Sequence, residues 1–103
     1  MMGTYLWTWS GTYFGYREGD DLWAYDGRLV GHFVGDEVFG SDGHYLGEIR
    51  DHDRLITNTR KKHKRGVPFA AHRRVAGDLQ RMRVMRGMPG DCEDFPAPDK
   101  LVD

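Results

Sequence analysis

Apolar and polar positions in the first half of the chain return every sixteen residues. Leu6, Leu22 and Val38 share one column, Trp7, Trp23 and Phe39 the next, and Phe14, Val30 and Leu46 a third, with a polar column of Ser10, Asp26 and Asp42 between them. Glycine keeps the same interval in three further columns: Gly3/Gly19/Gly35, Gly11/Gly27/Gly43 and Gly15/Gly31/Gly47. Self-similarity at a fixed interval marks a supersecondary unit that buries its apolar side only against its neighbours.

Each row reads as a β-hairpin. A short β-prone run such as Leu22-Trp23-Ala24-Tyr25 leads into Asp26-Gly27, a leading signal for a two-residue type I′ turn with positive φ at both central residues. Asp42-Gly43 repeats that signal and Ser10-Gly11 is a weaker version of it. In the return strand, the glycines at 15, 31 and 47 mark a bulge or a close approach of backbones, because an interior glycine otherwise weakens a strand. Gly19 and Gly35 supply the turns between hairpins.

A fourth, degraded row keeps Leu55 and Ile56 but replaces the Asp-Gly turn with Asn58-Thr59, and its return strand would run through Arg60-Lys61-Lys62-His63-Lys64-Arg65. The expected fold is therefore all-β: four sixteen-residue hairpins about a pseudo-fourfold axis, the fourth degenerate, with its first strand formed and its second frayed or partner-dependent. The hairpin domain spans residues 1–60 and a tail spans 61–103.

The units "YDGRLVGHF" and "SDGHYLGEI", followed by a basic segment and the ending "PGDCEDFPAP", resemble the bacterial four-fold beta-flower domain proteins. The resemblance covers about residues 3–60, with a shorter match from Met88 to Pro98. It implies hairpin petals and, the family being largely uncharacterised, no catalytic residue to carry over.

Charge divides the chain more sharply than its net value of -1 implies. Residues 1–53 hold 3 Lys+Arg against 10 Asp+Glu, residues 54–90 hold 11 against 1, and residues 91–103 hold 1 against 5. The five cations Arg60, Lys61, Lys62, Lys64 and Arg65 form the densest cluster. They have three readings: a solvated linker, a strap on the acidic hairpins of the same chain, or a patch for nucleic acid or another polyanion. Stacking aromatics, which binders of single-stranded nucleic acid interleave with their charges, are missing from this block apart from Phe69.

Residues 70–86 fit an extended or irregular segment, with a basic amphipathic helix through Val75, Leu79 and Met82 as the competing pattern. The proline-rich end excludes long regular structure and leaves Phe95 as an anchor on the hairpins or as part of a disordered tail. The lone Cys92 excludes an internal disulfide and favours a reducing, cytoplasmic setting. No run of apolar residues is long enough for a membrane span.

No metal, cofactor or catalytic set is expected, since His-x-x-x-His, Cys-x-x-Cys, calcium-loop and phosphate-loop patterns are absent. The favoured function is a non-enzymatic structural or protein-interaction module. Its partner is another protein or a second copy, met through exposed Trp and Tyr positions or an unpaired edge of the fourth petal. Nucleic-acid binding through segment 60–86 is the first rival and an enzyme with a site between petals the second.

Overall fold

The computed structural model describes residues 3–77 and 79–101. Eight strands form one sheet in chain order: β1 (Thr4–Thr8), β2 (Tyr13–Glu18), β3 (Asp21–Ala24), β4 (Leu29–Val34), β5 (Glu37–Phe39), β6 (Tyr45–Arg50), β7 (Arg54–Asn58) and β8 (Cys92–Asp94). There is no α-helix among the described residues, and two short 3-10 turns cover Thr59–Lys61 and Pro98–Lys100. Neighbours are antiparallel, but β1 also pairs with β7, closing a barrel of seven strands. An odd number of alternating strands brings first and last together in the same direction, so this seam is parallel. It is held by the pairs Trp7↔Arg54 and Thr8↔Leu55.

The first three petals, β1–β2, β3–β4 and β5–β6, repeat in register as well as in sequence. Leu6 faces Gly15, Leu22 faces Gly31 and Val38 faces Gly47, and one residue later each ladder slips at Phe14, Val30 and Leu46. The slip is a β-bulge, and the extra residue points inward. A Cβ on Gly31 would lie 2.5 Å from Val38 Cγ2. The expected bulge and the expected close approach thus occur together at that glycine.

The petal tips differ from the expected type I′ turns. Each is a three-residue loop: Trp9-Ser10-Gly11, Tyr25-Asp26-Gly27 and Ser41-Asp42-Gly43. The N–H of each glycine donates to the carbonyl of Thr8, Ala24 or Gly40, and those same residues donate to Thr12, Arg28 and His44. Only the glycine has positive φ, at 98°, 94° and 85°, which is the pattern of a turn followed by a left-handed glycine. Asp26 and Asp42 occupy the middle of their loops and accept from the N–H of Arg28 (3.2 Å) and His44 (2.9 Å). That bond favours the longer loop, as a local side-chain acceptor does in turns.

The fourth petal carries the main correction. Arg60–Arg65 is not its return strand: Thr59–Lys61 turns away as 3-10, capped by Asn58 Oδ1 on Arg60 N–H. Its place is taken by β8 from the far end of the chain, with Ile56↔Asp94, Thr57↔Glu93 and Asn58↔Cys92. The connection into β7 is also one residue longer than those at Gly19 and Gly35, and Asp51 and His52 supply the positive φ (51° and 70°). The extra residue moves Leu55 into the place that a count of sixteen would give Arg54.

The core follows from this geometry. Leu6, Leu22, Val38 and Leu55, one from the first strand of each petal, are all fully buried. Phe14, Val30, Leu46 and Phe95 come from, or directly follow, the four return strands and pack against them. Phe95 is 1% exposed and meets Phe14 edge-on at 5.2 Å between centroids. Burial of such a ring contributes about 1.5–3 kcal/mol. This answers the question of the tail's end: Phe95 anchors it.

Candidate functional site

From Lys62 to Met88 the chain passes the petal tips in reverse order, third, second, then first. Among its described residues it is extended, with isolated bridges at Arg65 to His44 and Arg73 to Arg28 and no helix. At each tip one strap residue donates its N–H to the glycine carbonyl: Gly66 to Gly43 (2.6 Å), Arg74 to Gly27 (2.8 Å) and Arg83 to Gly11 (2.8 Å). The carbonyl of the same strap residue stands where a Cβ on the tip glycine would be, 2.6 Å away at Gly43 and closer still at Gly11 and Gly27. Tip glycines are therefore demanded twice, by left-handed φ and by the strap.

These strap residues also cover the aromatic column. The Arg83 guanidinium lies over Trp7 at 3.8 Å and that of Arg74 over Trp23 at 3.6 Å. At the third petal Gly66 lies against Phe39, where a Cβ would come within 2.9 Å of the ring. The indole N–H groups of Trp7 and Trp9 donate to the carbonyls of Arg81 (2.7 Å) and Gly87 (2.9 Å). All three tryptophans are consequently buried, so the expected self-association through exposed Trp and Tyr positions has no exposed tryptophan to use, while Tyr5 on β1 is exposed. β7 pairs with β6 along one side and with β1 and then β8 along the other, so it offers no free edge either. The outer edge of the sheet belongs to β8, three residues long with acidic Glu93 and Asp94, a form that discourages edge pairing.

The basic cluster is largely engaged within the chain. Lys61 Nζ lies 2.9 Å from both Glu37 and Glu48, and Lys64 Nζ lies 2.8 Å from Glu37. Lys62 meets Glu93 at 2.6 Å and Arg60 meets Asp91 at 3.2 Å, while Arg65 donates to the carbonyls of Lys62 and Lys64. Hydrogen bonds from Lys64 and Lys61 lower the Glu37 pKa below 4.5. Burial opposes the same effect at Glu48, but bonds from Lys61, Tyr45 and Arg50 outweigh it and lower that pKa as well. The bonds to Glu37 and Glu48 raise Lys61 above 10.5, and burial pushes the Tyr45 phenol up to about 12.

Farther along, Arg74 pairs with Glu18 and Arg83 with Asp53, while Arg86 reaches Asp51. Arg74, Arg83 and Arg86 thus turn toward the petals, whereas most of the strap's apolar side chains point out. Val67, Val75 and Val84 are 83%, 91% and 82% exposed, and Leu79, Met82 and Met85 are also exposed. Each valine follows directly on the residue that bonds a tip glycine. The chain carries a signal for this arrangement in the triplets Arg65-Gly66-Val67, Arg73-Arg74-Val75 and Met82-Arg83-Val84, set at intervals of eight and nine residues. It escapes a search for periods common to hairpins or helices because it follows the spacing of the tips.

Among the described residues, no three His, Cys, Asp or Glu side chains come together as a metal site. His32 instead meets Asp21 at 3.1 Å and stacks on Phe69 at 4.0 Å, and His44 meets Asp42 at 3.0 Å. No helix of the described residues is long and apolar enough to cross a membrane. No protein-family model, curated protein or solved structure matches the chain.

Proposed function

We propose that the protein is a non-enzymatic protein-interaction module, of the beta-flower kind its repeats resemble, and that the outer face of the strap is its recognition surface. The observation that carries this reading is the inside-out strap: cations turned in onto tryptophans and carboxylates, valines turned out at each anchor. Single exposed apolar residues need no explanation. Here they recur at equivalent places on a backbone already held by the petals, so a partner would meet them with little further ordering cost. Arg65 and Arg81, which form no ion pair among the described residues, stand beside this row. The fitting partner is a folded protein with an apolar surface rimmed by acidic groups.

The polyanion reading has less support. Four of its five cations, Arg60, Lys61, Lys62 and Lys64, would have to exchange a carboxylate of their own chain for a phosphate.

The test compares the wild-type chain with a Val67→Ser, Val75→Ser, Val84→Ser variant in cross-linking and affinity capture from native cells, at two salt concentrations and with nuclease. Loss of a defined protein partner in the variant, with unchanged melting, supports the reading. Identical partners for both chains contradict it. A wild-type mass that rises with concentration, and does so no longer in the variant, identifies the partner as a second copy.

A further inference from the structure

The parallel seam leaves a second feature, which shares Arg81, Met82 and Val84 with one end of the docking face but rests on a different observation. Beside the pair Trp7↔Arg54 opens a groove of about 660 Å³ lined by Tyr5, Trp7, Arg54 and the strap residues Gln80–Val84. This is within the ordinary size of a small-ligand pocket.

Arg54 forms part of its lining and is only 3% exposed. A buried cation is normally matched by a carboxylate at hydrogen-bonding distance. Arg54 is not: its nearest, Asp53, stands 4.0 Å from Nε, and Nη1 donates to the carbonyls of Trp9 and Val84. Nε itself has no hydrogen-bond partner. Two further arginines, Arg81 and Arg83, line the same groove together with Gln80 and Tyr5, and the Arg83 guanidinium lies between the Trp7 ring and Asp53. Asp53 serves both Arg54 and Arg83, and Asp51 is taken by Arg86. Burial, and then repulsion from Arg86 and Arg83, lowers the Arg54 pKa. The local balance is short of negative charge.

We propose that this groove binds the phosphate, or a like tetrahedral oxyanion, of a small ligand, with Arg54, Arg81 and Arg83 as its cationic walls. Guanidinium groups suit such a group because each offers paired donors at a fixed spacing.

The test uses the full chain. Inorganic phosphate, glycerol phosphate and sulfate are titrated in turn at constant ionic strength set with chloride, and binding is read from Trp fluorescence and calorimetry. Saturable binding is expected, weakened about fivefold or more by Arg81→Gln and by Arg83→Gln and unchanged by Lys62→Gln, which lies outside the groove. Tighter binding of glycerol phosphate than of inorganic phosphate assigns the site to a phosphorylated compound, and the reverse order to the free ion. Arg54→Met tests the groove's most buried cation, and Arg81→Gln keeps the test valid if that variant does not fold. A response no greater than that to chloride overturns the proposal, as does binding unaffected in the Arg81/Arg83 double variant. Tighter binding of a single-stranded oligonucleotide, weakened equally by Lys62→Gln and Arg81→Gln, would also overturn it by assigning the charge to a polyanion.

Discussion

Petals one to three and petal four solve the same problem with different parts. In the first three, a return strand follows its partner after a three-residue loop, and the bulged residue behind it fills the core. In the fourth, the return strand arrives after a long excursion around the tips, and Phe95 does what Phe14, Val30 and Leu46 do elsewhere. Local turns thus suffice for three petals, while the fourth depends on the strap. Long-range closure costs chain entropy that only slowly increases with loop length, and the strap's contacts with each tip offset it.

This comparison predicts where the molecule breaks. Phe95→Ala removes a fully buried ring from the core and is expected to cost about 3–5 kcal/mol in urea unfolding. It should also expose β7, whereas Phe14→Ala should cost a similar amount and leave β8 in place. Hydrogen exchange at Ile56 to Asn58 would separate the two.

Next in size are the glycines under the strap or another strand. Gly27→Ala sets a methyl group against the Arg74 carbonyl at a φ of 94°, and Gly31→Val sets a branched side chain on Val38. Each should cost about 2 kcal/mol, and in any case more than 1 kcal/mol, in thermal or urea unfolding. Gly35→Ala sharpens the contrast. Its φ of 63° is equally left-handed, but nothing lies within 4 Å of the added methyl, so the loss should stay near 1 kcal/mol.

The smallest effect concerns the root of the strap. Lys61→Met removes the ion pairs to Glu37 and Glu48 and should cost under about 1 kcal/mol, less at high salt. Because the folded-state pKa of Glu37 is lowered, its contribution is fully present above the unfolded value of 4.5. It is lost as pH falls through the lower folded pKa. Stability of the wild type should therefore drop below about pH 4.5 more steeply than that of Lys61→Met, as followed by urea midpoints.

The sequence discloses the petals because their determinants are local. The sixteen-residue interval, the reversals at Ser10, Asp26 and Asp42 and the glycine at a bulge are each set by residues near in the chain. Phe95 is legible for a different reason, as a lone large aromatic in an otherwise polar, proline-rich end. β8 is not legible: Cys92-Glu93-Asp94 has no strand-like alternation or β propensity, and it becomes a strand because β7 presents an unfilled edge. The turn type was hidden by Asp-Gly, which serves two-residue and three-residue loops alike, with the deciding bonds from Asp26 and Asp42 seen only in the fold. The basic residues announced their charge but not their direction, since stacking of Arg74 on Trp23 and of Arg83 on Trp7 joins positions far apart in the chain.

The central claim is that the chain's last segment completes the fourth petal. Asn58 and Cys92 face each other across β7 and β8, and antiparallel partners lie within the Cα separation that a disulfide spans. With Cys92 the single cysteine, Asn58→Cys under mild oxidation is predicted to form an intramolecular disulfide in the native state and to raise the melting temperature. Two thiols that stay free under native conditions, or that cross-link only between molecules, would contradict the account.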